Sequence, residues 1–303
     1  MIKLLPVTKD YLWGGEKLKK IFGVKADGIV AESWTASVHK DGTSKIENSD
    51  KDFAEYLAGN TGTVDKNGGK FPVLIKYIDA KSNLSVQVHP SDEYALKNEN
   101  SLGKTEAWYI VSADEGAGIY CGFKRDTDKN EFLAKVKNGT VEDLLNFIPV
   151  KAGDCYLIKS GTVHAIGAGC VICEVQQNSN ITYRVYDYNR RGADGKLREL
   201  HVDKAVDVIN FSKFSNETDS EDFCSVKGGK IKLLTKCKYF SLKNLLLAGK
   251  FETKNENSFT VINVISGKGQ INGENFSAGD CFYVPLGEQL ALEGDACILM
   301  TAE

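Results

Sequence analysis

Short runs of alternating apolar and polar residues, broken by Gly, Asn and Asp, make up most of this chain. In NLSVQVHP, Leu84, Val86 and Val88 fall on one side of an extended backbone and Ser85, Gln87 and His89 on the other, because successive strand side chains point to opposite faces. FPVLIKYIDA, EAWYIVSA, DCYLIKS, VICEVQQ, ITYRVYDY, SFTVINVISG and DCFYVPLG are also rich in Val, Ile, Tyr and Phe, with turn residues between them. Their number and spacing predict a mainly β fold of the sandwich or barrel kind. The clearest helical periodicity, in residues 129–148, interrupts the strands and reads as a helical insertion; 52–60 and 199–210 are shorter candidates. The polar, acidic stretch 215–223 reads as a linker before the last strand-rich region.

Two stretches read almost as copies: AGDCYLIKSGTVHAIG (152–167) and AGDCFYVPLGEQLALE (278–293). Laying Ala152 on Ala278 lays Gly161 on Gly287 and His164 on Leu290. In each copy Gly-Asp turns into a strand, and a second turn, KSG or PLG, leads to the position of His164 or Leu290. Gly-x5-Pro-x-Gly-x2-His is the second sequence motif of the cupin superfamily. The first copy resembles it with Lys159 in the Pro place; the second has Pro285 but lacks the His. The resemblance implies two cupin-type jelly-roll barrels with a small helical insertion. Residues 1–126 and 151–214 would form the catalytic barrel, 127–150 the insertion, and 215–303 a degenerate barrel without metal, in which Leu290 is packing scaffold.

Composition narrows the function classes. A chain of 303 residues suffices for two compact domains. A net charge of -3 gives no reason to expect a nucleic-acid partner. No apolar run approaches the roughly 20 residues of a membrane helix, and MIKLLPVTKDYLW places Lys, Pro and Asp where a signal peptide needs an unbroken apolar core. The eight cysteines are scattered through apolar segments, which suits buried thiols in a reducing cytoplasm. The sequence carries no signal for an oligomeric state.

The chemistry lies on the polar strand faces. Lys104, Glu106 and Trp108 share one face of their strand, and Thr182, Arg184 and Tyr186 share one face of theirs. Polar side chains are costly to bury unless they are paired or bind something. His89, Glu106 and His164, with Gln87 two residues before the first His, make a two-His, one-carboxylate set that suits Zn²⁺ and also Fe²⁺, Mn²⁺ or Co²⁺. His39 reads as a turn residue and His201 as a helix residue. Cys170 and Cys173 have CxxC spacing, but on a strand their thiols point apart and no second CxxC exists. GKG at Gly267 reads as a hairpin turn, since no helix follows it.

YLWGG, AESWTASVH, SVQVHPSDEYA, LGKTEAWYI, SGTVHAIG, QQNSNITYRVYDYNR and RELHVDKAVDVI resemble the signature segments of the type I mannose-6-phosphate isomerase family in its short bacterial form. The resemblance implies a metal-dependent aldose–ketose isomerase that interconverts mannose 6-phosphate and fructose 6-phosphate through a cis-enediol, in mannose use or GDP-mannose supply. It implies one Zn²⁺ per chain, or another divalent ion, held by His89, Glu106 and His164 with Gln87 as fourth ligand. Arg184 becomes the active-site arginine, a permanent cation suited to an enediolate. Glu174 and Lys104 are the candidate proton carriers, and Ser85, Lys76 and Lys104 the candidate phosphate donors. Trp13 and Glu32 would line the sugar pocket, although Trp13 and Trp108 read equally as core aromatics. The rival readings are another metal-dependent cupin enzyme, such as an Fe²⁺ dioxygenase, and a non-catalytic sugar-sensing cupin.

Overall fold

In the computed structural model, which describes residues 1–60, 70–192, 195–215, 221–256 and 258–303, strands dominate and the helices are short. The chain divides into two compact units, each made of separated stretches. One comprises Met1–Lys9, Glu16–Tyr77 and Thr218–Glu303; the other comprises Asp10–Gly15 and Ile78–Glu217. The sequence-based division grouped residues 1–126 with the first cupin motif. In the structure most residues before Ile78 group instead with the C-terminal strands, through pairings such as Ile2–Leu5 with Cys281–Val284. Such long-range pairing leaves no mark in local periodicity. Most of the expected linker 215–223 lies outside the described residues.

The unit beginning at Ile78 contains a five-stranded sheet, ordered Leu145–Pro149, Gly118–Phe123, His164–Ile166, Val86–Val88, Tyr183–Tyr186. In its other sheet Glu106–Ala113 is flanked by Cys155–Ile158 and Cys170–Gln177, both antiparallel to it. The two sheets face each other, since His164 on one lies 3.4 Å from Glu106 on the other. On the opposite side of the five-stranded sheet, Val86, Val88, Ala165, Tyr183 and Val185 form an apolar cluster with Phe132, Val141, Leu144 and Ala205. The apolar stripe of NLSVQVHP is thus covered by helical segments, and its polar stripe is turned inward between the sheets.

The expected helix over 129–148 is shorter. It runs Lys129–Lys137, capped by the Asp128 carboxylate, which accepts from the Asn130 and Glu131 N–H groups. Gly139 then adopts a left-handed φ of 70°, and a 3-10 turn, Val141–Leu144, leads into the strand Leu145–Pro149. The helices Phe53–Ala58 and Val202–Val208 lie where periodicity placed them. Lys17–Phe22 and Asp92–Glu99 were not foreseen. Asp92–Glu99 buries only Ala95, so it has almost no apolar stripe; its signal is the Ser91 cap followed by Asp92 and Glu93 in the first turn. Gly267 is likewise not at a hairpin turn. It lies inside the continuous strand Thr260–Ile271, opposite Ala296.

The duplicated stretches fold alike, each within its own unit. Gly153 and Gly279 take φ of 92° and 93°, and Gly161 and Gly287 take 84° and 80°. These left-handed values favour glycine because it has no Cβ. The Asp154 carboxylate accepts from Lys151 N–H at 2.9 Å, and the Asp280 carboxylate from Ser277 N–H at 2.8 Å. Gly153 N–H donates to Ile110 O and Gly279 N–H to Val264 O, both at 2.9 Å. The repeat therefore encodes a turn, and the residue after its second glycine is free to differ. His164 is buried among polar groups, whereas Leu290 is 2% exposed and joins Leu245, Phe251, Val284, Leu292 and Ile298 in an apolar core.

Candidate metal centre

The inward faces of the two sheets bring most of the foreseen site residues together. Register places His164 opposite Gln87 and Gln87 opposite Arg184 on one sheet, and Glu106 opposite Gln176 and Trp108 opposite Glu174 on the other. His89 Nε2 lies 3.4 Å from Glu106 Oε2, and His164 Nε2 lies 3.4 Å from Glu106 Oε1. Ligand atoms of His89, Glu106 and His164 all fall within 4.8 Å of one another, and all three residues are buried.

The imidazoles are oriented from behind. His89 Nδ1 faces the Ile181 carbonyl and His164 Nδ1 the Thr162 carbonyl, each at 2.8 Å. A carbonyl can only accept, so each Nδ1 carries the proton and each Nε2 turns a lone pair toward Glu106. Burial, reinforced by Lys104, pushes the His89 pKa down to about 3; burial also lowers that of His164, against the pull of Glu106. Burial alone would raise the Glu106 carboxyl, but the Lys104 ammonium outweighs it and holds it well below the usual range. The result is two neutral imidazoles and one carboxylate with lone pairs converging. Lys104 Nζ pairs with Glu106 Oε2 at 2.6 Å, while among the described residues no hydrogen-bond donor satisfies Oε1. Converging acceptors in a dry site repel unless a cation sits among them, so this donor set fits a divalent ion.

Charged groups surround the cage. Lys104 Nζ lies 3.2 Å from His89 Nε2 and 3.5 Å from Glu174 Oε1, and Glu174 Oε2 accepts from the Trp108 indole N–H at 2.9 Å. Trp108 is fully buried, edge-on to the His164 ring at 5.3 Å. Gln87 presents its amide nitrogen to His164 Nε2 at 3.4 Å, while its Oε1 accepts from Ser85 Oγ. Ser85 Oγ also accepts from Arg184 Nε at 3.3 Å, so a polar chain runs Arg184–Ser85–Gln87–His164. Arg184 Nη1 donates to Glu199 O. Burial, then Arg198, lowers the guanidinium pKa.

Other foreseen residues make contacts of their own. Trp13 is buried and stacks on Tyr11 at 5.5 Å. Glu32 and Lys76 belong to the other unit, buried and paired at 3.6 Å, with the Trp34 indole N–H on Glu32. Tyr186 does not share the face of Arg184. The register shifts between the two, and Tyr186 packs on the apolar cluster instead; a bulge reverses strand alternation locally. His39 sits at a tight hairpin, with Nδ1 accepting from Asp41 N–H. His201 stands just before its helix, and its Nδ1 accepts the Arg184 N–H at 3.2 Å, a contact that no local pattern announces. Cys170 and Cys173 are both buried, and the Cys170 thiol donates to Gly118 O.

A mainly β, cupin-type fold with a buried two-His, one-carboxylate cage defines the class as a cupin protein with a candidate metal site. Residues 1–112 match the family model of the phosphomannose isomerase type I catalytic domain. Mannose-6-phosphate isomerase ManA of Bacillus subtilis is 39% identical over 97% of this chain and 96% of its own length. The crystal structure of the mannose 6-phosphate isomerase from Bacillus subtilis superimposes with a TM-score of 0.94 at 35% identity, covering 100% of this chain and 99% of that one. A mannose 6-phosphate isomerase bound with zinc and yttrium shares the fold, with a TM-score of 0.78 at 15% identity, covering 100% of this chain and 99% of that one. The chain belongs to the type I phosphomannose isomerase family, and it is an isomerase.

Proposed function

We propose that this chain interconverts mannose 6-phosphate and fructose 6-phosphate with a divalent ion, zinc in the first instance, held by His89, Glu106 and His164 and completed by Gln87 Oε1 once that amide turns over. The observation that carries this reading is the convergence of two back-pinned, neutral imidazoles on the Glu106 carboxylate, whose Oε1 meets no hydrogen-bond donor among the described residues, with Lys104, Glu174 and Arg184 around them. A bound zinc ion would supply Lewis acidity beside the sugar oxygens.

The reaction moves a proton between C2 and C1 through a cis-enediol. The Glu174 carboxylate can accept the carbon-bound proton, and the Lys104 ammonium, 3.5 Å away, can donate one to a sugar oxygen. Trp108 fixes Glu174 by its indole N–H. Arg184 would meet the oxygens on which negative charge develops, and the Ser85 hydroxyl beside it, turned from Gln87, would offer a donor to the phosphate. The eight cysteines stand as thiols, four of them buried, which suits a reducing cytoplasm as the setting for this sugar-phosphate enzyme.

The test is a coupled assay for fructose 6-phosphate, supplied with mannose 6-phosphate, before and after chelation. Activity should vanish with the chelator and return with Zn²⁺. Undiminished turnover by protein verified free of metal would falsify the reading.

A further inference from the structure

The polar segment QQNSNI, of which the site uses only the Ile181 carbonyl, ties the ligand-bearing stretches together. Gln177 ends the strand Cys170–Gln177 and is 3% exposed. Its backbone N–H donates to Thr105 O at 3.1 Å, and its side-chain Oε1 accepts from Thr105 N–H at 2.9 Å. Both main-chain polar groups of Thr105, which stands between Lys104 and Glu106, are therefore held by one residue. Gln177 Nε2 donates to Asp92 Oδ1 at 2.9 Å, and the same oxygen accepts Gly103 N–H at 2.9 Å. Asp92 opens the helix three residues after His89, and Lys104 N–H donates to Pro90 O. The two stretches touch so closely that a Cβ on Gly103 would lie 2.4 Å from Asp92 N. Farther along, Ser179 Oγ donates to Leu102 O, and Ile181 O receives His89 Nδ1.

We infer that Gln177 is a positioning residue that holds the His89 and Glu106 segments at the spacing the metal cage requires. This rests on the metal reading proposed above. The amide has a defined polarity: its oxygen must meet Thr105 N–H, and its nitrogen must meet the Asp92 carboxylate. A side chain of the same shape without that polarity cannot do both. Groups that orient ligands from behind typically contribute about 10–100-fold in metal affinity.

The experiment measures Co²⁺ affinity by chelator competition, together with the visible spectrum of the bound ion and the melting temperature of the metal-free protein. Gln177→Leu should bind Co²⁺ about 10–100-fold more weakly and with an altered spectrum. Gln177→Glu keeps the acceptor for Thr105 but sets a carboxylate against Asp92, so it too should weaken binding. Adding Asp92→Asn to Gln177→Glu turns a donor toward the new acceptor, at the expense of the Gly103 N–H contact, and should recover part of that loss. Wild-type affinity and spectrum in both single variants, with only the melting temperature lowered, would leave Gln177 a purely structural residue and overturn the inference. So would a double variant no better than Gln177→Glu, and that comparison decides alone should Gln177→Leu fail to fold. Wild-type protein that takes up no metal would instead overturn the metal reading itself.

Discussion

His164 and Arg184 sit at opposite ends of one polar chain and differ in what each can lose. His164 contributes a neutral Nε2 whose direction is set by the Thr162 carbonyl. His164→Ala should abolish metal uptake while the fold survives, because the second copy of the turn already carries Leu290 at this place. Elemental analysis and a melting curve check this; stoichiometric metal in the variant would refute the ligand assignment. Arg184 is held by His201, Glu199 and Ser85, an amount of preorganisation suited to charge that appears only during the reaction. Arg184→Ala should lower kcat about 10²–10³-fold with KM nearly unchanged. Steady-state kinetics on folded, metal-loaded protein decide it: a large rise in KM at near-normal kcat would make Arg184 a ground-state phosphate contact.

Among elements, the repeated turn and the covered strand matter most. Both copies keep the same glycine φ values and the same Asp-to-backbone hydrogen bond, so the turn tolerates either a ligand or a core residue after it. Leu290→Ala should therefore destabilise its unit by about 2–5 kcal/mol, as truncation of a fully packed leucine does. Urea denaturation measures this, and the isomerase kinetics of the folded variant should not change. The strand Val86–Val88 shows the other lesson. Its valines pack outward under helical segments, which lets its polar stripe line the interior between the sheets.

For the molecule as a whole, the buried histidines link stability to acidity. In the metal-free protein the folded His89 pKa of about 3 lies below the roughly 6.5 of an unfolded histidine, and that of His164 is lowered too. As pH falls below 6.5 the unfolded chain takes up protons first, so stability declines from there toward pH 3. Between pH 7 and pH 5 His89 alone should remove about 2 kcal/mol. Glu106, depressed below its unfolded value, acts in the same direction but only below about pH 4.5. Denaturation midpoints of metal-free protein at pH 7 and pH 5 measure the effect. A pH-independent midpoint would contradict neutral burial of these histidines, and His89→Gln should flatten the slope.

The strands, the repeated turn and the three cage ligands could be read from the sequence because each rests on short-range pattern. Alternation assigns faces, Gly-Asp marks the turn, and His89, Glu106 and His164 stand at or just past strand ends and converge. The bulge between Arg184 and Tyr186, the helix Asp92–Glu99 and the grouping of most residues before Ile78 with the C-terminal strands could not be read this way. Each depends on partners far away in the chain: a register shift needs the neighbouring strand, a helix without an apolar stripe is recognised by its cap, and the grouping follows from pairings such as that of Ile2 with Tyr283. The same is true of the cage's orientation. Sequence supplies the ligand types, but only the tertiary structure sets the Ile181 and Thr162 carbonyls behind the two imidazoles and Gln177 across Thr105 and Asp92. Backbone carbonyls and amides are present at every position, so composition cannot say which of them will orient a ligand.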